Sequence, residues 1–281
     1  MKARIKFQKY GSMKFIGHLD VMRYFQKLFR RAEIDNEYTR GFSPHQIMSF
    51  AAPLGVGLTS DAEYLDISLL SSDAPEVMIN RMNAAASEGF RIIGFRRLLD
   101  TPENQKVVTA MSLVSSADYL VSLKDGYTLG DISSPEAFGQ CFEAFLSQSE
   151  IVIDKKTKTS EKAVDIKPMI TLAAFREEEY REKLGRVIKP LPVSAFPPDA
   201  PSSFLQDAPV STAGIYKNGF KLYLQLDTGS SSNLKPELVM EAFYDYLRIP
   251  FERFAWQVHR LEVYTRDPES GVLIPLDRLD R

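Results

Sequence analysis

The first hundred residues alternate between segments with strand periodicity and segments with helix periodicity. Residues 3–8 alternate between apolar and polar side chains, whereas apolar residues recur at helical spacing from Leu19 to Ala32. The predicted elements are a strand at 3–8, a helix at 19–32, strands at 47–52 and 64–69, a helix starting near Pro75 with Ser72 or Asp73 as its cap, and a strand at 91–98. This β-α-β-β-α-β order is typical of a ferredoxin-like domain.

The second half repeats much of this pattern. Its predicted elements are strands at 117–123, from 151, at 220–226 and at 258–264, and helices at 135–147, capped by Ser134, and at 236–247. A polar stretch at 101–114 separates the halves. Within 176–219, a charged, helix-prone run at 176–183 is followed by six prolines between 190 and 209, which exclude regular structure around them. The sequence therefore predicts an α+β fold of two tandem ferredoxin-like (βαββαβ) domains with antiparallel sheets. The domains would be 1–100 and 115–281, with 101–114 as linker and a Pro-rich insertion at about 176–219.

Composition narrows the class of protein. The chain has 281 residues and a formal net charge of −2, so any nucleic-acid site must be a local basic patch. Cys141 is the single cysteine, which excludes an intrachain disulfide and a cysteine-ligated iron–sulfur cluster held by this chain alone. No apolar run has the roughly 20 residues that cross a bilayer. We find no motif for nucleotide or metal binding, and we expect a cytoplasmic protein with no cofactor and no membrane partner.

The helix predicted at 19–32 carries a row of cations opposite its apolar face. Arg23, Lys27, Arg30 and Arg31 are spaced three and four residues apart, with no acid between Arg23 and Arg31. Such a row can neutralise successive phosphates of a nucleic acid. A solvated helix face explains the same pattern, so both interpretations stay open here.

Two loops add candidate chemistry. His18 follows Gly17 at the start of the helix, where free backbone N–H groups favour an anion, and it could contact phosphate or carry a proton. The segment 38–46 combines turn residues with a cation, an aromatic ring, a hydroxyl and an imidazole, namely Arg40, Phe42, Ser43 and His45. That mixture suits backbone contact plus base stacking on single-stranded RNA, although Phe42 could equally be a core residue. His18 and His45 are the weak catalytic candidates.

Several segments resemble a known family. They are FIGHLD at 15–20, YTRGFSP at 38–44, PLGV at 53–56, AEYLD at 62–66 and VDIKPMI at 164–170. Together they resemble the radical-SAM-associated (radical-SAM-linked) family of unknown function, whose members occur next to or fused behind a radical-SAM enzyme. The resemblance implies a separate radical-SAM protein as partner, which would supply the cluster that this chain cannot hold.

The sequence thus favours an RNA-binding accessory protein that works with a separate radical-SAM enzyme. Two alternatives remain open. The first is a protein-only scaffold that docks the radical-SAM partner, and the second is a metal-independent endoribonuclease. Because no residue set establishes a reaction, an enzyme is the less favoured interpretation.

Overall fold

The protein has a mixed α+β structure built on one large, mostly antiparallel sheet. The computed structural model describes residues 1–99, 108–156, 161–188, 216–229 and 232–279. Its first half contains β1 (Lys2–Lys9), α1 (His18–Arg31), β2 (Met48–Phe50), β3 (Thr59–Ser68), α2 (Pro75–Ala85) and β4 (Phe90–Leu98). The α-helices of the second half are α3 (Ala110–Leu113), α4 (Pro135–Leu146), α5 (Glu177–Val187) and α6 (Pro236–Leu247). The strands of that half are β5 (Ser116–Leu123), β6 (Val152–Lys156), β7 (Glu161–Asp165), β8 (Ile170–Ala174), β9 (Lys221–Asp227), β10 (Trp256–Arg266) and β11 (Leu273–Pro275).

The sheet runs through both halves of the chain. Its strand order is β4-β1-β3-β10-β5-β9-β8, with β2 also paired to β3 and β11 to β10, while β6 and β7 form a separate hairpin. The pairings between the described strands are antiparallel apart from that between β3 and β10, where His259 lies opposite Thr59 and Arg260 opposite Ser60 in parallel. The two halves are therefore joined by backbone pairing.

Helices cover one face of the sheet in each half. Phe25, Leu28 and Phe29 of α1 are fully buried and pack with Ile5 and Phe7 of β1. This packing confirms the strand periodicity predicted at 3–8 and the helix periodicity predicted at 19–32. The prediction for Leu19 was wrong, because its side chain is 60% exposed. At 3.6 residues per turn Leu19 lies about 120° from Phe25, outside the packed face.

The second half has its own core between the sheet and its helices. Phe138 and Phe142 of α4 pack against Phe243 of α6, and α4 begins as predicted, because Ser134 Oγ accepts a hydrogen bond from Ala137 N at 3.2 Å. On α2 the predicted cap was wrong. The residue before the helix is Ala74, which has no side-chain cap bond. Asp73 instead pairs at 2.7 Å with Arg81, two turns further along α2, so this ion pair occupies the carboxylate that the sequence assigned to the cap.

The polar side of β1 is also covered. Arg4 pairs with Asp66 at 2.8 Å, and Lys6 pairs with Glu262 at 2.6 Å and Asp277 at 3.0 Å. Burial by itself lowers the pKa of Lys6, but the two carboxylates outweigh it and raise that pKa above its ordinary value. The C-terminal segment around Asp277 is thereby fixed to the first strand of the chain.

Two predicted connections fall partly on undescribed positions. Of the linker at 101–114, residues 101–107 lie outside the described residues, and the remainder includes α3. Of the Pro-rich insertion at 176–219, the beginning forms α5, whose Tyr180 packs beside Tyr223 with ring centroids 4.8 Å apart. Residues 189–215, which contain the prolines, lie outside the described residues. Among the helices that are described, none combines the length and the hydrophobicity that crossing a membrane requires.

Candidate nucleic-acid interface

Three of the four predicted cations of α1 share its exposed face. Arg23, Lys27 and Arg30 are exposed, and their three- and four-residue spacing places them on one side of the helix. Arg23 contacts Asp20 at 3.2 Å, with both side chains about two-thirds exposed at 66% and 60%. An exposed pair of this kind contributes at most about 1 kcal/mol, so a phosphate can displace the aspartate. This exposed row therefore remains open to a polyanion.

Arg31, the fourth cation, has a different environment. Its guanidinium donates two hydrogen bonds to the carbonyl of Ala85, at 3.0 and 3.3 Å, and lies 6.0 Å from the ring centre of Tyr24. Ala85 is the last residue of α2. Arg31 thus links the ends of α1 and α2, and the structure does not place it with the row formed by Arg23, Lys27 and Arg30.

The segment 38–46 forms a closed loop with exposed side chains. Its ends are joined by a bridge between Tyr38 and Gln46 and by a hydrogen bond from Thr39 N to His45 O at 2.9 Å. Gly41 has φ +121°, a backbone conformation that L side chains rarely adopt. Arg40, Phe42, Ser43 and His45 are all exposed. The exposure of Phe42 excludes the interpretation in which its side chain belongs to the hydrophobic core.

The base of this loop lies against the middle of α1. Gln46 is buried, and its Nε2 donates a hydrogen bond to Gln26 O at 3.5 Å and to Tyr38 Oη at 3.3 Å. Gln26 lies one residue before Lys27 and four before Arg30, whose Nε bonds to the same Gln26 carbonyl at 3.3 Å. The loop and the exposed row are therefore neighbours, which the sequence alone could not establish.

The two candidate histidines have separate surroundings. His45 Nδ1 lies 3.0 Å from Thr39 Oγ1, so its ring is held within the loop. His18 is the first residue of α1 and is half-buried, with its ring edge against Phe50 at a centroid distance of 5.1 Å. No contact found in the described part of the chain joins the two imidazoles.

His18 lines a small pocket whose polar members the sequence did not reveal. The cavity holds about 10 Å³, roughly the space of one water molecule, and its lining includes Lys9 and Glu63 among apolar side chains. Lys9 is buried and donates a hydrogen bond to Ile16 O at 3.2 Å. Burial lowers the pKa of the Lys9 amine, and the nearby Arg260 lowers it further while Glu63 opposes both.

The burial of Lys9 was not predicted, because this residue lies just beyond the strand predicted at 3–8 and a lysine is seldom fully buried. In the structure Lys9 lines the same pocket as Phe7. Glu63 in turn pairs with Arg260 at 2.6 Å, and both side chains are almost fully buried. These partners are about two hundred positions apart in sequence. No signal in the sequence indicates that contact.

The remaining histidine has two polar neighbours inside the sheet. His259 Nε2 lies 2.9 Å from Asp61 Oδ2, and its Nδ1 lies 2.8 Å from Thr59 Oγ1. The imidazole is buried, as expected for a residue with a structural role. Within the described ranges, no three His, Cys, Asp or Glu side chains are grouped so that they could hold a metal ion.

Sequence comparison assigns the chain to a family. Residues 2–191 match the family described as uncharacterized protein conserved in bacteria (DUF2344), which is more than half of the chain. The chain belongs to this family. The DUF2344 match includes α1, the loop at 38–46 and the segments that line the Lys9 pocket, whereas β9, α6 and β10 follow it. No curated protein matches the chain.

Proposed function

We propose that this DUF2344 protein is an RNA-binding accessory protein that works with a separate radical-SAM enzyme. The observation that carries the RNA part is the adjacency of the exposed row and the exposed loop, joined through Gln46 and Gln26. Arg23, Lys27 and Arg30 supply positive charge along α1, and Arg40 and Phe42 supply a cation and an aromatic face beside it. Together they match the charge and stacking requirements of a single-stranded polynucleotide.

The electrostatics of this surface are local. The chain as a whole carries a formal net charge of −2, so long-range attraction of RNA to the protein is weak and the row must act at short range. Each cation that replaces condensed counterions on a single strand adds about 0.7 to the slope of log affinity against log salt. Three cations therefore contribute a slope of about 2.

The strand order supports our proposal that the two halves are tandem ferredoxin-like domains. In the first half the order is β4-β1-β3-β2, and in the second half it is β10-β5-β9-β8. Each half contributes two helices that pack on one face of its strands, α1 and α2 in the first and α4 and α6 in the second. Both orders correspond to the 4-1-3-2 arrangement of a βαββαβ unit.

The RNA proposal is tested by titrating labelled single-stranded RNA into wild type and into a variant with Arg23→Gln, Lys27→Gln and Arg30→Gln. We expect weaker binding of the variant and a salt slope smaller by about 2. A matched control removes three exposed cations of the second half, Lys162→Gln, Lys235→Gln and Arg248→Gln. Equal loss in both variants would show a general charge effect and contradict the proposed interface.

The partner is proposed from the family resemblance and is tested separately. Purified tagged protein is mixed with a candidate radical-SAM protein from the same organism, with and without nuclease. We expect co-elution that depends on RNA if the chain presents RNA to the enzyme. Co-elution that survives nuclease, combined with no affinity for RNA, would favour the scaffold instead. For that alternative the fully exposed Phe42 is the specific supporting feature, because an exposed aromatic side chain also suits protein docking.

A further inference from the structure

Two lysines bind the same short segment, residues 254–257, where the two halves of the chain meet. Lys14, between β1 and α1, donates a hydrogen bond from Nζ to Gln257 Oε1 at 3.2 Å. Lys124, directly after β5, donates one from Nζ to the carbonyl of Phe254 at 2.8 Å. In the portion of the chain that is described, neither ammonium has a carboxylate within ion-pair distance. Both charges are therefore held by neutral acceptors.

The acceptors that hold the two ammonium groups are three residues apart, at Phe254 and Gln257. Burial lowers the pKa of Lys124, and the neighbouring charge of Lys14 lowers it further. A bound anion would relieve this repulsion and replace the missing carboxylate. The pair thus has the electrostatic character of a phosphate site rather than of a structural ion pair.

Exposed aromatic rings flank the lysines. Phe15 and Phe254 are 67% and 71% exposed, although large apolar side chains are usually covered. Lys14 Nζ lies 5.1 Å from the ring centre of Phe15, and the guanidinium of Arg253 lies 5.9 Å from that of Phe254. A ring with a cation beside it is the arrangement on which nucleobases stack while their phosphates are neutralised.

The segments that carry these side chains are held together by hydrogen bonds. Gly57 N donates to Lys14 O at 2.7 Å, and Gln257 Nε2 donates to Gly57 O at 3.0 Å. Lys124 N donates to Ala255 O at 2.8 Å. Because segments from both halves share these bonds, the cations and rings are positioned before any ligand arrives.

We propose that Lys14, Phe15, Lys124 and Phe254, the seam platform, form a second contact for the same single-stranded RNA. One phosphate lies between the two ammonium groups and an adjacent base stacks on Phe15. This inference rests on the proposed function, because it extends the RNA path from the exposed row of α1 past the start of that helix. The platform lies outside every residue that the sequence suggested for RNA binding.

The test is a titration of a labelled single-stranded 20-nucleotide RNA into full-length variants, repeated over a range of salt concentrations. The double variant Lys14→Gln and Lys124→Gln should bind more weakly and lose about 1.4 from the salt slope, since each phosphate contact on a single strand contributes about 0.7. Phe15→Leu should weaken binding about fivefold or more with an unchanged slope, because it removes stacking and no charge. Lys162→Gln with Lys235→Gln is the control of equal charge change.

The outcomes separate this inference from the proposed function. If the α1 triple variant loses affinity and the platform variants do not, the platform is overturned and the interface on α1 stands. If only the platform variants lose affinity, the platform stands and the assignment to α1 is overturned. If wild type binds no RNA, both are overturned. Equal displacement of the RNA by polyglutamate of matched charge would also overturn the platform, because an acidic peptide would then satisfy it equally well.

Discussion

Replacing Asp118 with asparagine should remove a defined part of the pH dependence of stability. Asp118 is fully buried in β5. Its Oδ2 accepts hydrogen bonds from Tyr180 at 2.6 Å and Tyr264 at 2.7 Å, and its Oδ1 accepts one from Gln225 at 2.9 Å. Burial raises the pKa of this carboxyl group to about 6 from 3.8, because desolvation outweighs the three hydrogen bonds.

The sign and size of the effect follow from proton linkage. Since the folded state holds the proton more tightly than the unfolded chain, the contribution of Asp118 is present in full at low pH. It is lost as pH rises through the window from about 4 to 6. A difference of about two pKa units corresponds to about 3 kcal/mol of unfolding free energy. Because part of this contribution is already lost below pH 4.5, wild type should lose about 2 kcal/mol relative to the Asp118→Asn variant between pH 4.5 and 7.5.

The assay is urea unfolding of wild type and Asp118→Asn at several pH values from 4.5 to 7.5. The quantity of interest is the difference in unfolding free energy between the two proteins, since other titrating groups cancel in it. Asp131→Asn, at an exposed position, provides a matched control for the loss of one carboxyl group.

A pH-independent difference between wild type and Asp118→Asn would refute this reasoning. If the variant fails to fold, the carboxyl carbon of Asp118 can be followed directly by NMR in the wild type. A titration midpoint near 6 agrees with desolvation as the dominant effect, and a midpoint near 4 contradicts it.

Two further stability predictions concern the first strand and the fourth helix. Lys6→Met leaves Glu262 and Asp277 as buried carboxylates without their cation and should cost about 3–5 kcal/mol in urea unfolding at pH 7.5, part of which Glu262→Gln should restore. A loss below about 1 kcal/mol would mean that solvent screens this network. Ser134→Ala should cost about 1 kcal/mol by removing the bond to Ala137 N, while Ser134→Thr should retain most of it.

Much of the local structure was predictable from the sequence. The helix predicted at 236–247 is α6, which runs over the same residues, and the strand predicted at 220–226 is β9 at Lys221–Asp227. Periodicity and cap residues determine such elements because they act over a few neighbouring positions. For the same reason the sequence identified Arg23, Lys27 and Arg30 as members of one row. The environment of Arg31, in contrast, is set by its hydrogen bonds to α2, which the local pattern does not indicate.

The tertiary structure decided which polar residues meet. Lys6 pairs with Glu262 across 256 positions, and Tyr180 reaches Asp118 across 62. The parallel pairing of β3 with β10 brings His259 beside Thr59. The local pattern of a strand fixes which side chains share a face, but it does not state which distant strand lies next to it. Buried ion pairs and perturbed pKa values depend on that neighbour, so they became visible only in the folded chain.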